Sequence, residues 1–210
     1  MNRRGELGEH CGRFLSNGAS HLTQDLHVVD SKRGALSSLL LGAPSPPSED
    51  PVASPLFVDL DTVDFNHVEY PIEKIREYLP QRYEFEMLSG VYQIYREQQT
   101  CVGWRDIGQD EFWARGHIPG RPLLPGVLMI EAGAQISTFL YKILSGDDPN
   151  RFIGFGGLEQ VRFRAPVLPG QKLILMAKVI EARSRRCIFD MQGAVEKKLV
   201  FEGRVIGVPV

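Results

Sequence analysis

The run Val127–Leu144 constrains the fold more than any other part of the chain. It holds no proline, reads as one long helix, and is apolar on nearly every side: Leu128, Met129, Ile130, Ala132, Ala134, Ile136, Phe139, Leu140 and Ile143. A helix apolar all round belongs inside something. Ala132, Gly133 and Ala134 are small enough to let a sheet approach closely. Gly133 costs about 1 kcal/mol of helix propensity relative to alanine, which close packing would offset. Gly146, Asp147, Asp148 and Pro149 end the helix.

What surrounds it reads as strands. Lys172–Arg183, Arg186–Val195 and Lys198–Val208 are long and separated by tight breaks, which implies an antiparallel meander. Phe152–Leu158 and Gln160–Ala165 read as two short strands, with the glycines at 154, 156 and 157 marking a bend. Upstream, Met87–Glu97 and Thr100–Ile107 carry alternating, β-branched and aromatic residues. Ile72, Ile75 and Leu79 predict a short amphipathic helix over 72–79, stopped by Pro80. One buried helix with a strongly curved antiparallel sheet predicts an α+β arrangement in which the sheet wraps the helix.

Residues 1–55 differ from the rest. Pro44, Pro46, Pro47, Pro51 and Pro55, with Ser45, Ser48, Glu49 and Asp50, break the backbone into a linker, and no apolar period precedes them. The chain therefore divides into an extension, 1–55, flexible or docking, and a domain, 56–210. No uninterrupted run of about 18 apolar residues occurs; Leu36–Leu41 is the longest candidate, so no spanning helix is expected. Glu6, Glu9 and His10 stand where a signal peptide needs apolar residues, and the chain reads as cytosolic. Cys11, Cys101 and Cys187 share no spacing motif and read as reduced structural thiols; His10, His21 and His27 lack compact zinc spacing, so no metal site is expected.

The net charge of −2 hides a polarity: residues 1–55, 56–150 and 151–210 carry −1, −7 and +6. A basic final third suggests either an anionic partner or internal pairing with the acidic section. Nucleic acid is not expected, because no basic motif with interleaved aromatics occurs.

Two ionisable residues stand at the long helix. Glu131 lies amid Met129, Ile130, Ala132 and Gly133, where a carboxylate is costly unless paired. His117 closes a strand and opens the loop His117–Gly126; imidazole suits a general base near neutrality. The first amides of the helix, after Pro125-Gly126, lack intrahelical partners and can polarise a carbonyl. Gln135, one turn beyond Glu131, can orient its carboxyl group. A base, an acid and a carbonyl polariser suit removal of a proton α to a carbonyl with loss of a β-hydroxyl as water. The alternative is structural: Glu131 satisfied by Gln135 and water, with His117 a loop hydrogen-bonder.

The stretch from Phe112 to Gln135, with Gly116-His117-Ile118-Pro119, Pro125-Gly126-Val127-Leu128 and Glu131-Ala132-Gly133-Ala134-Gln135 in order, resembles the signature of the 3-hydroxyacyl-[acyl-carrier-protein] dehydratases of fatty acid synthesis. Leu79–Tyr83 looks like that family's opening motif, and Val161–Gly170 like its strand and turn after the helix. The resemblance implies a hot-dog fold and dehydration of 3-hydroxyacyl thioesters to trans-2-enoyl thioesters. It implies catalysis by His117 and Glu131, with the Gly126 amide on the thioester carbonyl and Gln135 in support. It further implies a substrate carried on the phosphopantetheine arm of acyl carrier protein, with no metal or diffusible cofactor. A homodimer would pair the histidine of one chain with the glutamate of the other, and dimers would assemble further into hexamers. Glutamate at 131 looks like the plain dehydratase branch. Met129, Phe155 and Phe163 are candidates for the acyl tunnel, and Arg121, Arg162, Arg164 and Arg186 for carrier docking. Gln81 stands where the family usually has histidine, Ile118 where it has phenylalanine, and Ser89-Gly90 where an acidic-basic pair is common. Two other readings stay open: another hot-dog thioester enzyme (an enoyl hydratase or thioesterase), or a non-catalytic carrier-binding subunit.

Overall fold

The computed structural model describes residues 54–146 and 151–210, which fall within the compact unit Glu49–Val210. The expectations for Cys11, His10, His21, His27, Leu36–Leu41, most of the linker and Asp147–Pro149 lie outside the described residues.

Seven strands form one antiparallel sheet: β1 (Tyr70–Pro71), β2 (Gly90–Tyr95), β3 (Thr100–Asp106), β4 (Ile153–Phe163), β5 (Lys172–Arg183), β6 (Arg186–Val195) and β7 (Lys198–Pro209). Their order is β1-β2-β3-β5-β6-β7-β4, which puts β4 at one edge among the described residues. Two helices complete the domain: α1 (Ile72–Ile75) and the long α2 (Gly126–Ser145). α2 lies against β3, β5, β6 and β7, giving the hot-dog arrangement of a sheet wrapped around one helix. Gly146, in the left-handed region at φ 60°, closes α2 as an αL cap.

The close approach of helix and sheet has a visible cause. A Cβ on Gly133 would run into the sulfur of Met191 on β6 and come within 3.3 Å of that residue's Cβ and Cγ. Met191 is fully buried and has nowhere to retreat. Gly133→Ala is therefore expected to destabilise the domain by about 1–3 kcal/mol of overpacking, outweighing the ~1 kcal/mol of helix propensity that alanine brings. The shift in urea midpoint measures it; a more stable variant would contradict this packing.

Both faces of the sheet's middle are covered. Inward, Cys101, Leu173, Leu175, Ala177 and Met191 meet Ile136, Phe139 and Leu140 of α2. Outward, Val102, Trp104, Ile174, Met176 and Ala194 are capped by Val58, Leu60 and Val63 from a strap that precedes β1. Burial on both faces explains why residues 173–177 read as a continuous apolar run rather than an alternating one. Gln192, fully buried on β6, ties the strap down: its Oε1 accepts from Phe57 N at 2.9 Å and its Nε2 donates to Pro55 O at 3.0 Å.

Three sequence expectations need correction. The two short strands over 152–165 are one strand, β4; register shifts at Phe155/Gly157 and Glu159/Arg162, and Gln160 at φ 52°, bend it without ending it. The helix expected over 72–79 is regular only over Ile72–Ile75 and continues as turns that bury Leu79. α2 is, among the described residues, the helix long and apolar enough to cross a bilayer; counting only uninterrupted apolar runs passed over it. Its contacts with four strands make it a core helix. Cys101 and Cys187 are buried, and burial pushes the Cys101 thiol up to about 12.

Candidate active site

Glu131 sits on the second turn of α2, on the face that also carries Ala134, Gln135 and Thr138, at helical spacings of three, four and seven. These four line an open cleft of about 120 Å³ together with Phe152–Phe155 at the β4 edge, Val205–Gly207 of β7 and Gln81. Glu131 is half-buried, not engulfed as its apolar neighbours suggest, because this stretch of α2 faces the cleft and not the sheet. Gln135, buried, donates through Nε2 to Glu131 Oε1 at 2.7 Å and to Phe85 O at 2.7 Å, while its Oε1 accepts from Met87 N at 3.0 Å. The amide is thus held from both ends and fixes the rotamer of the carboxyl group. The expected Glu131–Gln135 pairing is present.

His117 is not at the end of a strand. β3 stops at Asp106, and His117 lies within a succession of turns leading to α2. Its amide donates to Trp113 O at 2.9 Å, and Trp113 is buried in the core. The imidazole is exposed, and His117 does not line the cleft that holds Glu131.

The first residue of α2 is Gly126. A Cβ there would meet the Phe163 ring at 2.8 Å, so this ring lies directly on the backbone that opens the helix. The structure therefore brings Gly126 and Phe163 together, places Phe155 in the cleft with Glu131, and sets Met129 in the core beneath the helix. Val127 on the first turn of the helix is 71% exposed, and Ile118 in the preceding loop 39%.

The four arginines do not converge. Arg162 and Arg164 share a depression with Arg204, Asp190 and Glu202, whereas Arg121 and Arg186 lie outside it. Arg164 is ion-paired with Glu202, and Arg186 with Glu181 at 3.0 Å. Arg121 and Arg162 are exposed. The basic final third thus meets part of its charge internally, within its own strands.

Three residues of the site went unread in the sequence. Thr138 was discoverable from the helical spacing that starts at Glu131. Gln81, visible only as a departure from a family pattern, lines the cleft, with its Oε1 buried and lacking a hydrogen-bond partner among the described residues. Arg105, on β3, holds Glu111 at the base of the His117 segment, a pairing that no local spacing rule signals.

Residues 79–204 match the family model of the FabA-like domain. A 3-hydroxyacyl-[acyl-carrier-protein] dehydratase FabZ of Syntrophobacter fumaroxidans is 38% identical over 135 residues, covering 64% of this chain and 90% of that protein. Among solved structures, the dehydratase heterocomplex ApeI:P from Xenorhabdus doucetiae aligns at 23% identity and TM-score 0.43, over 53% of this chain and 88% of that one. AziG of S. sahachiroi aligns at 14% identity and TM-score 0.46, over 57% and 89%. The family match takes in α2, the His117 segment and every strand from β2 to β6. The chain belongs to the FabA-like family and, within it, to the FabZ type.

Proposed function

We propose that this protein dehydrates 3-hydroxyacyl thioesters, presented on acyl carrier protein, to trans-2-enoyl thioesters in fatty acid or related acyl-chain biosynthesis. The observation that carries the reading is the Glu131 carboxyl group, held at 2.7 Å by a buried glutamine in a cleft with apolar walls. Phe155 and Val205 offer an acyl chain an apolar surface there, and Met129 and Phe163 are the further candidates to line its path.

The reaction balances with protein groups alone. His117 takes the C2 proton, and the electrons of that C–H bond form the C2=C3 double bond. The C3–O bond breaks, and Glu131, protonated, gives its proton to the departing hydroxyl, which leaves as water. The Gly126 amide, at the positive end of α2, stabilises the charge that builds on the thioester oxygen. No step asks for a metal or a diffusible cofactor.

We read the acid and the base as supplied by two copies of the chain. His117 is exposed and outside the cleft of Glu131 in its own protomer. The edge strand β4 exposes Phe155, Leu158 and Phe163, apolar residues of the kind proteins cover. We infer a homodimer in which His117 of one chain faces Glu131 of the other, with assembly to hexamers a matter for molar-mass measurement. We place the catalytic domain over 56–210, with the extension 1–55 before it. A cytoplasmic location fits a carrier-linked substrate. An acidic carrier protein would meet Arg121 and Arg162, both exposed, with Arg164 and the likewise exposed Arg186 partly neutralised by their carboxylate partners.

Mass spectrometry of carrier-bound 3-hydroxyacyl substrates of graded length tests the proposal. The expected product has lost one water and stays on the carrier. Release of the free carrier thiol would mean thioester hydrolysis. Binding without any mass change would mean a non-catalytic subunit. Either result would overturn the dehydratase assignment.

A further inference from the structure

We propose that Phe85–Met87 is a positioning bridge between the acid and the base, and that Arg105 is the positioning residue that ties His117 to it. The inference rests on the roles given above to His117 and Glu131. Gln135, which orients Glu131, grips the stretch at Phe85 O and Met87 N. Between those two bonds lies Glu86, whose carbonyl oxygen accepts from Arg105 Nη1 at 2.5 Å. The Glu86 carboxylate is fixed in turn by Arg76 Nη2 at 2.8 Å, and this hydrogen bond holds its carboxyl below the usual carboxylate range.

From Arg105 the path runs to the base. Arg105 Nη2 donates to both oxygens of Glu111, at 3.1 and 2.9 Å, and the two side chains are only 12% and 11% exposed. Glu111 Oε1 also accepts from Gly108 N at 3.0 Å, which closes the turn after β3. Glu111 O then receives Ala114 N at 2.9 Å, and Trp113 O receives His117 N. The exposed imidazole has no other anchor among the described hydrogen bonds. Its place is set by Trp113 in the core and by Glu111 on Arg105. The guanidinium suits this task because its planar fork fixes two directions at once, Nη1 toward Glu86 O and Nη2 toward the Glu111 carboxylate.

One consequence concerns the dimer. If His117 and Glu131 of one chain serve different clefts, the bridge joins two active sites, and a shift of Gln135 in one cleft reaches the base of the other.

The test uses the full 15N-labelled chain with Arg105→Gln, Arg105→Lys and, as a core control at the far end of β5, Val179→Ala. The readouts are the Gln135 side-chain amide resonance, the His117 imidazole resonance, and kcat and KM separately. In Arg105→Gln both resonances are expected to move, and kcat to fall about 10²-fold with KM held, as misplacement of a reacting group does. Arg105→Lys keeps a donor toward Glu86 O and Glu111 and is expected to restore part of kcat. Val179→Ala lowers the melting temperature and moves neither resonance. Should Arg105→Gln fail to fold, Glu111→Gln, with the Arg105–Glu86 bond kept, gives the same readouts. Movement of His117 without Gln135, or of neither, overturns the bridge. Joint movement in a protein that turns over no 3-hydroxyacyl thioester supports the bridge and instead removes the catalytic reading.

Discussion

His117→Ala is expected to cut turnover of a 3-hydroxyacyl thioester by about 10²–10⁴-fold, the usual contribution of one positioned proton-transfer group. The same substitution should leave the fold almost untouched. The imidazole is exposed, and the bond that fixes residue 117 is made by its backbone amide to Trp113 O, which alanine retains. Surface changes away from caps and cores move stability by only about 0.5 kcal/mol. The prediction is thus a separation: activity collapses while the unfolding midpoint stays. Steady-state kinetics with thermal unfolding on one preparation measures both. Near-wild-type turnover would remove His117 from the mechanism. A parallel loss of activity and stability would mean that the side chain supports the loop and not the chemistry. The second outcome corresponds to the structural reading of the sequence, in which His117 is a loop hydrogen-bonder, so the experiment decides between the two.

The parts of the fold legible in the sequence were those whose physics is local. β5, β6 and the start of β7 were readable because tight turns separate long runs of strand-forming residues, and α2 because no proline interrupts Val127–Leu144. Gly133 was legible as a close approach, and Met191 occupies the space its side chain would have taken. The strap was not legible. Val58, Leu60 and Val63 show no period long enough to name an element, and their place is decided by the outward faces of β3 and β5, some forty to a hundred and twenty residues away in sequence. β4 reads as two strands because glycines at 154, 156 and 157 signal a bend and no local rule carries the strand past Glu159; only pairing with β7 shows that it runs on. At the site, Glu131 and Gln135 were readable as neighbours on one helix face. Arg105, Glu111 and the Phe85–Met87 stretch were not, since their contacts join three separate segments. The same limit explains the half-buried glutamate: sequence neighbours showed it to be among apolar residues, but not that this face of the helix opens on a cleft.

Mixing two inactive chains should restore activity. His117→Ala and Glu131→Gln homodimers are each expected to retain a residue of about 10⁻²–10⁻⁴ of wild-type turnover, since each lacks one proton-transfer group in both clefts. A mixed dimer differs. One of its clefts receives both substitutions, and the other receives the intact His117 of the Glu131→Gln chain together with the intact Glu131 of the His117→Ala chain. Random reassortment in a two-fold dimer makes half the molecules mixed, so about a quarter of wild-type activity should return. Glu131→Gln keeps the volume of the side chain, and Gln135 retains an acceptor in the new amide oxygen, so the cleft keeps its shape. The chains must be unfolded together or co-expressed, because preformed dimers need not exchange. The arithmetic is what makes the result decisive. If the acid and base of one chain served the same cleft, every mixed dimer would carry two crippled sites and nothing would return. Failure to recover activity in a verified mixed dimer would therefore place both groups in one protomer, and would require the His117 segment to fold over its own Glu131 when substrate binds. Recovery would place the thioester between two chains, against the cleft that Glu131 shares with Phe155.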